Sequence, residues 1–171
     1  MEKRILLIGG GITFNTYKDY LLFLKNLKVD LNRYRGAKWK DSLKKELGNK
    51  FDVLLPQMPN QMNAKYDEWK ILFKKITPLL NNHVILIGHS LGAIFLVKYL
   101  SENNFPKKIL ATLLISAPYG EEDMEESLGD FVLSKNLNKL KNQGGKIFLY
   151  HSKDDAVVPC IHLEKYKKVL P

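Results

Sequence analysis

Residues 84–92 constrain this chain more than any other stretch. Val84-Ile85-Leu86-Ile87 is wholly apolar, as a strand buried on both faces must be. Gly88-His89-Ser90-Leu91-Gly92 follows at once, and an apolar helical pattern then runs to about residue 100. A buried strand that turns into a buried helix through two glycines flanking a serine demands a tight, strained turn. Such a turn lifts the Ser90 hydroxyl above the end of a sheet. The competing reading is an ordinary strand-to-helix turn in which Ser90 caps the helix.

The rest of the chain repeats the alternation. Apolar runs predict strands at 3–8, 51–55, 109–115 and 146–150. Between them, helical spacing predicts helices at 17–27, with Thr16 as N-cap, at 39–47, ended by Gly48, and at 66–80, broken near Pro78. A short helix at 133–140 and a final one at 160–169 complete the pattern. Tyr20, Leu21, Leu24 and Leu27 form the expected apolar stripe of the first helix; Trp69, Leu72, Phe73 and Ile76 form that of the third. Strands alternating with helices imply right-handed βαβ units, hence an α/β fold with a parallel sheet covered on both faces. With no repeat, low-complexity segment or linker, residues 1–171 read as a single domain. Sites in such sheets lie beyond the carboxyl ends of the strands. Gly9 to Gly11, Ser90, Ser116 and Asp154-Asp155 all follow strands and so converge on one region.

Composition excludes several classes. At 45% hydrophobic and 26% charged residues the chain is neither disordered nor membrane-spanning. Met1-Glu2-Lys3-Arg4 precedes an apolar run too short for a signal peptide. The single cysteine, Cys160, has no partner in the chain, so a cytoplasmic location is expected. The net charge of +9 comes from lysines scattered along helices without an arginine cluster, which argues against nucleic acid. No membrane partner, cofactor or metal is expected.

A serine nucleophile needs donors for the oxyanion, a base and an orienting acid. The backbone N–H of Leu91, first in the following helix, is one donor. The glycine loop after the first strand supplies the other, with Gly11 the first choice and Gly10 or Ile12 the alternatives. That loop lacks both the Gly-Lys-Ser/Thr ending of a phosphate loop and the spacing of a dinucleotide fingerprint. For the acid, Ser152-Lys153-Asp154-Asp155 follows the fifth strand; one aspartate of the pair suits an imidazole and the other a turn. The acidic stretch 121–126 reads either as a loop over the site that disfavours anionic substrates or, equally, as a plain solvated loop.

These features resemble the compact serine hydrolases of the α/β-hydrolase superfamily, the group that includes retinoblastoma-binding protein nine and its bacterial relatives. The resemblance rests on the glycine loop, Gly-His-Ser-x-Gly and Ser-x-Asp-Asp-x-x-x-Pro, and it runs nearly the whole length. It implies a three-layer sandwich with strand order 2-1-3-4-5 and an esterase-like activity on a small-molecule acyl substrate. Ser90 is then the nucleophile and Asp155 the acid, with Asp154 secondary. The family's base is a histidine beyond one further strand, which these 171 residues do not contain, so the chain reads as truncated at its carboxyl end. A hydrolase fold that binds without turnover is the alternative, and a flavodoxin-like phosphate binder a lesser one. Of the histidines present, His83 precedes a strand, His89 lies inside the turn, and His162 lies in the last helix; His151, beside the aspartates, is a secondary candidate. The fifth strand would be an exposed edge, open to self-association.

Overall fold

The computed structural model describes residues 3–30, 39–134 and 136–170, so residues 1–2, 31–38, 135 and 171 lie outside it. Five strands, β1 (Lys3–Ile8), β2 (Phe51–Leu54), β3 (Val84–His89), β4 (Ile109–Ile115) and β5 (Lys146–Tyr150), form one parallel sheet in the order β2-β1-β3-β4-β5. The helices are α1 (Tyr17–Asn26), α2 (Trp39–Leu47), α3 (Tyr66–Ile76), α4 (Leu91–Glu102), α5 (Asn138–Gln143) and α6 (Ile161–Val169).

Strand side chains alternate between faces, and the sheet carries two cores accordingly. Leu6, Ile8, Val84, Leu86 and Leu114 pack with Trp69 and Phe73 of α3, with α4, and with Leu140 and Tyr166. Ile5, Leu7 and Ile87 face the other way, toward Leu43 and Leu47 of α2. Nine residues of α4 are buried, as expected of a helix that is apolar nearly all round. This makes α4 a rigid mount for the turn that precedes it.

Three expectations change. The helix expected at 66–80 stops at Ile76 and continues as a single 3₁₀ turn, Thr77–Leu79, because the Pro78 ring excludes the α-helical path. The helix expected at 133–140 is the shorter α5, preceded by a 3₁₀ turn at Gly129–Phe131. The stripe of α1 is not a core face: no α1 residue is buried, and Leu21 and Leu24 remain exposed. The helix is held instead by its capping box, in which Asp19 N–H donates to Thr16 Oγ1 at 3.1 Å and Thr16 N–H to Asp19 Oδ2 at 3.2 Å.

Candidate active site

Ser90 joins β3 to α4 with φ 54° and ψ −124°, a conformation that a side chain with a Cβ rarely adopts. It occupies the N-cap position, yet its side chain makes no capping hydrogen bond. The strained backbone therefore does not serve helix capping. Its own N–H donates to the Ile115 carbonyl at 2.9 Å, and its carbonyl accepts from Ala93 N at 2.8 Å, so neighbouring elements hold the turn on both sides. Gly92 makes the geometry possible: a Cβ there would overlap the carbonyl oxygens of Ile8 and Gly9, where α4 meets the end of β1.

The same close approach brings the glycine loop to the serine. A Cβ on Gly10 would stand 3.3 Å from Ser90 Cβ. One on Gly11 would stand 2.8 Å from the Gln61 carbonyl oxygen and 3.3 Å from Leu91 Cδ2, so Gly11 and Leu91 are neighbours. Leu91 N–H is a first-turn amide at the positive end of the α4 dipole. Ile12 differs from the two glycines, because its N–H already donates to the Gln61 carbonyl at 2.8 Å. Among the described residues the Gly10 and Gly11 amides make no hydrogen bond. Gln61 carries no local sequence signal, yet it sets this loop: its carbonyl takes the Ile12 amide and its Nε2 donates to the Gly10 carbonyl at 3.3 Å.

Beyond β5 the two aspartates part company. Asp155 is largely buried, and its Oδ1 accepts from Val158 N at 2.9 Å and Val157 N at 3.0 Å. Burial pushes its carboxyl up, but the bonds from Val158, the Ser116 hydroxyl and Val157, with His151 nearby, outweigh that and hold it below the usual aspartate value. Asp154 is exposed and takes the Ser152 hydroxyl, which holds its carboxyl low; it is a turn residue in this arrangement. Ser116 is itself at positive φ, 46°, and its N–H donates to the Tyr150 carbonyl at 2.8 Å. Ile115, which receives the Ser90 amide, precedes Ser116, so one strand end links the serine turn to the Asp155 loop.

Each histidine has a definite setting. The His151 side chain is 1% exposed, and its Nε2 lies 2.7 Å from the Val158 carbonyl and 3.9 Å from Asp155 Oδ2. A carbonyl only accepts, so that nitrogen carries a proton. His162 is fully buried, and its Nδ1 accepts the Tyr119 N–H at 3.0 Å; burial above all, with Lys165, lowers its pKa and keeps it neutral. The His89 ring meets Trp39 edge-on, 5.7 Å between centroids. His83 is exposed at the amino end of β3, opposite to Ser90. Among the described residues no group of His, Cys, Asp or Glu is arranged to hold a metal, and no helix is long and apolar enough to cross a membrane.

A serine in a strained strand-to-helix turn on a 2-1-3-4-5 parallel sheet defines an α/β-hydrolase-type protein, and solved structures agree. The ydeN gene product of B. subtilis superposes with a TM-score of 0.70 at 18% identity, over 97% of this chain and 80% of that one. The esterase domain of a Rhodothermus marinus protein gives 0.59 at 15% identity, over 99% and 71%. MGS-MChE2, an α/β hydrolase from a metagenome of lagoon sediments at Mar Chica, Morocco, gives 0.58 at 17% identity, over 100% and 77%. At these identities the likeness is one of fold. No match was found among curated proteins. The family model described as Serine hydrolase matches residues 31–169, and the chain belongs to that family.

Proposed function

We propose that this serine hydrolase cleaves an ester, thioester or amide of a small-molecule acyl substrate through an acyl intermediate on Ser90. Ser90 Oγ attacks the carbonyl carbon, and the resulting oxyanion takes hydrogen bonds from the Leu91 and Gly11 amides. Collapse breaks the bond to the leaving group, which departs with a proton; water then adds to the acyl carbon and releases the acid and free Ser90. Asp155 is the orienting carboxylate, ionised and aimed from the end of β5. The base that Asp155 orients and that takes the Ser90 proton is none of the described histidines: His151 is held on the Val158 carbonyl, His162 on the Tyr119 N–H, His89 packs against Trp39, and His83 lies at the amino end of β3. The observation that carries this reading is the φ of 54° at Ser90 combined with the absence of a capping bond from its side chain.

Incubation with p-nitrophenyl acetate tests it. The expected result is a burst of nitrophenolate stoichiometric with protein and an acetyl group on Ser90, both lost in Ser90→Ala. Release at the buffer rate, or a burst that survives in Ser90→Ala, would overturn the reading. The proposal also includes self-association through β5, which lies at the sheet edge with Phe148 and Tyr150 exposed.

A further inference from the structure

We infer that helix α1 docks on an anionic lipid surface, lying in its plane with Tyr17, Leu21 and Leu24 against the lipid and Lys18, Lys25 and Lys28 at the headgroups. The inference concerns attachment and does not depend on Ser90 being a nucleophile. Helix α1 is not part of the scaffold. Among the described residues neither of the two cores includes an α1 side chain, and the helix that packs on the sheet between β1 and β2 in the chain is α2, through Leu43 and Leu47. Helix α1 leans instead on Phe14, whose ring lies 5.5 Å from that of Tyr20 and 5.1 Å from that of Phe23. These contacts and the capping box fix its inner side and its first turn. The outer side is left open.

The residues on that open side fit lipid. Tyr17, Leu21 and Leu24 recur at helical spacing and so share one face; they are 68%, 39% and 37% exposed. Leu22 and Val29 add exposed apolar surface nearby. Lys18 and Lys25, seven residues apart, run along one flank of the strip, and Lys28 follows the helix end. All three are exposed, and none forms an ion pair with another described residue. Over residues 17–40 the sequence carries seven lysines and arginines against two aspartates, so this stretch holds +5 of the chain's +9. An apolar strip bordered by lysines complements a surface that is negative at its headgroups and apolar beneath them. A second copy seated on the same strip would bring lysines against lysines, and a nucleic acid would leave the strip in water. Ten residues are too few to span a bilayer, so the helix lies along the surface. Composition predicts no membrane partner, but composition is blind to which side of a helix is left uncovered.

Flotation of the full chain with vesicles tests this. Vesicles of phosphatidylcholine with about a third phosphatidylglycerol should bind the protein about tenfold more tightly than phosphatidylcholine alone, and added salt should remove the difference. Leu21→Gln/Leu24→Gln leaves the charge unchanged and should lower binding to the anionic vesicles about tenfold, as should Lys18→Gln/Lys25→Gln/Lys28→Gln. Lys74→Gln/Lys75→Gln, at exposed positions of α3, lowers the net charge without touching α1 and should bind nearly as wild type does. Circular dichroism that matches wild type shows each variant to be folded. Equal binding to the two vesicle types, binding retained in the Leu21/Leu24 variant, or an equal loss in the α3 variant would overturn the proposal. So would a mass above that of the monomer, without vesicles, that falls only in the Leu21/Leu24 variant, because the strip would then join two copies.

Discussion

Oδ2 of Asp155 lies 3.9 Å from Nε2 of His151, and that nitrogen also lies 2.7 Å from the Val158 carbonyl. The carboxylate and the imidazole thus close the loop after β5 from inside, His151 through Val158 O and Asp155 through Val157 N and Val158 N. Asp155→Ala removes the acceptor for both amides and for Ser116. It is expected to cost about 1–2 kcal/mol of stability at neutral pH. The folded-state pKa of Asp155 is lowered, so its contribution is full above the ordinary aspartate value, about 3.9, and is lost as pH falls through the lowered one. Urea denaturation should show the gap between wild type and variant narrowing at acid pH, with Asp155→Asn less damaging because it keeps an acceptor oxygen.

His162 predicts a second acid sensitivity at milder pH. Burial holds the imidazole neutral in the folded state, with Nδ1 accepting from Tyr119 N. The unfolded chain binds that proton first, so the contribution is full above about pH 6.5 and declines as pH falls through the lowered value. Thermal melts of wild type should lose stability on moving from pH 7 to 5, and His162→Gln should lose less. Equal pH slopes for the two proteins would show that His162 is not the sensor.

The settings of the histidines predict chemical rescue. His151 Nε2 is protonated toward Val158, His162 is buried on Tyr119, His89 packs on Trp39, and His83 is at the far end of β3. A positioned general base is worth about 10²–10⁴ in rate. Free imidazole should therefore accelerate acylation of Ser90 in this 171-residue chain in proportion to its concentration, with no effect on Ser90→Ala. A rate independent of imidazole would mean that one of the four histidines moves to the serine.

The β5 edge predicts concentration-dependent association. Phe148 is 42% and Tyr150 53% exposed on a strand whose outer side has no strand partner among the described residues. A charged residue on such an edge opposes pairing. Light scattering should find a larger mass for wild type than for Phe148→Lys as concentration rises. Two identical monomer masses at all concentrations would rule out edge pairing.

Much of this architecture is legible in the sequence, for physical reasons that also mark where legibility stops. Strands 3–8, 109–115 and 146–150 carry apolar runs bounded by turn residues, and their ends match the structure residue for residue. The turn at Ser90 is legible because one short segment holds every part of it. Gln61 and Tyr119 are different, and so is the bond from Ser116 to Asp155, although the place of Ser116 after a strand is legible: each acts through a partner some 40 or 50 positions away, and no local pattern encodes such a pairing. Helix α1 shows the limit of periodicity, since spacing places Leu21 and Leu24 on one face without saying whether anything covers that face. Asp154 and Asp155 look alike in sequence; the amides of Val157 and Val158 and the hydroxyl of Ser116 tell them apart.

Acyl transfer by this chain depends on Ser90, held at φ 54° between the Ile115 carbonyl and the first turn of α4. Labelling with a fluorophosphonate, read by intact mass and peptide mapping, tests that residue most directly. A single adduct on Ser90, none on Ser90→Ala, and slower labelling in the presence of a competing ester substrate are expected. No adduct on the folded chain, or an adduct that Ser90→Ala retains, would contradict this role for Ser90.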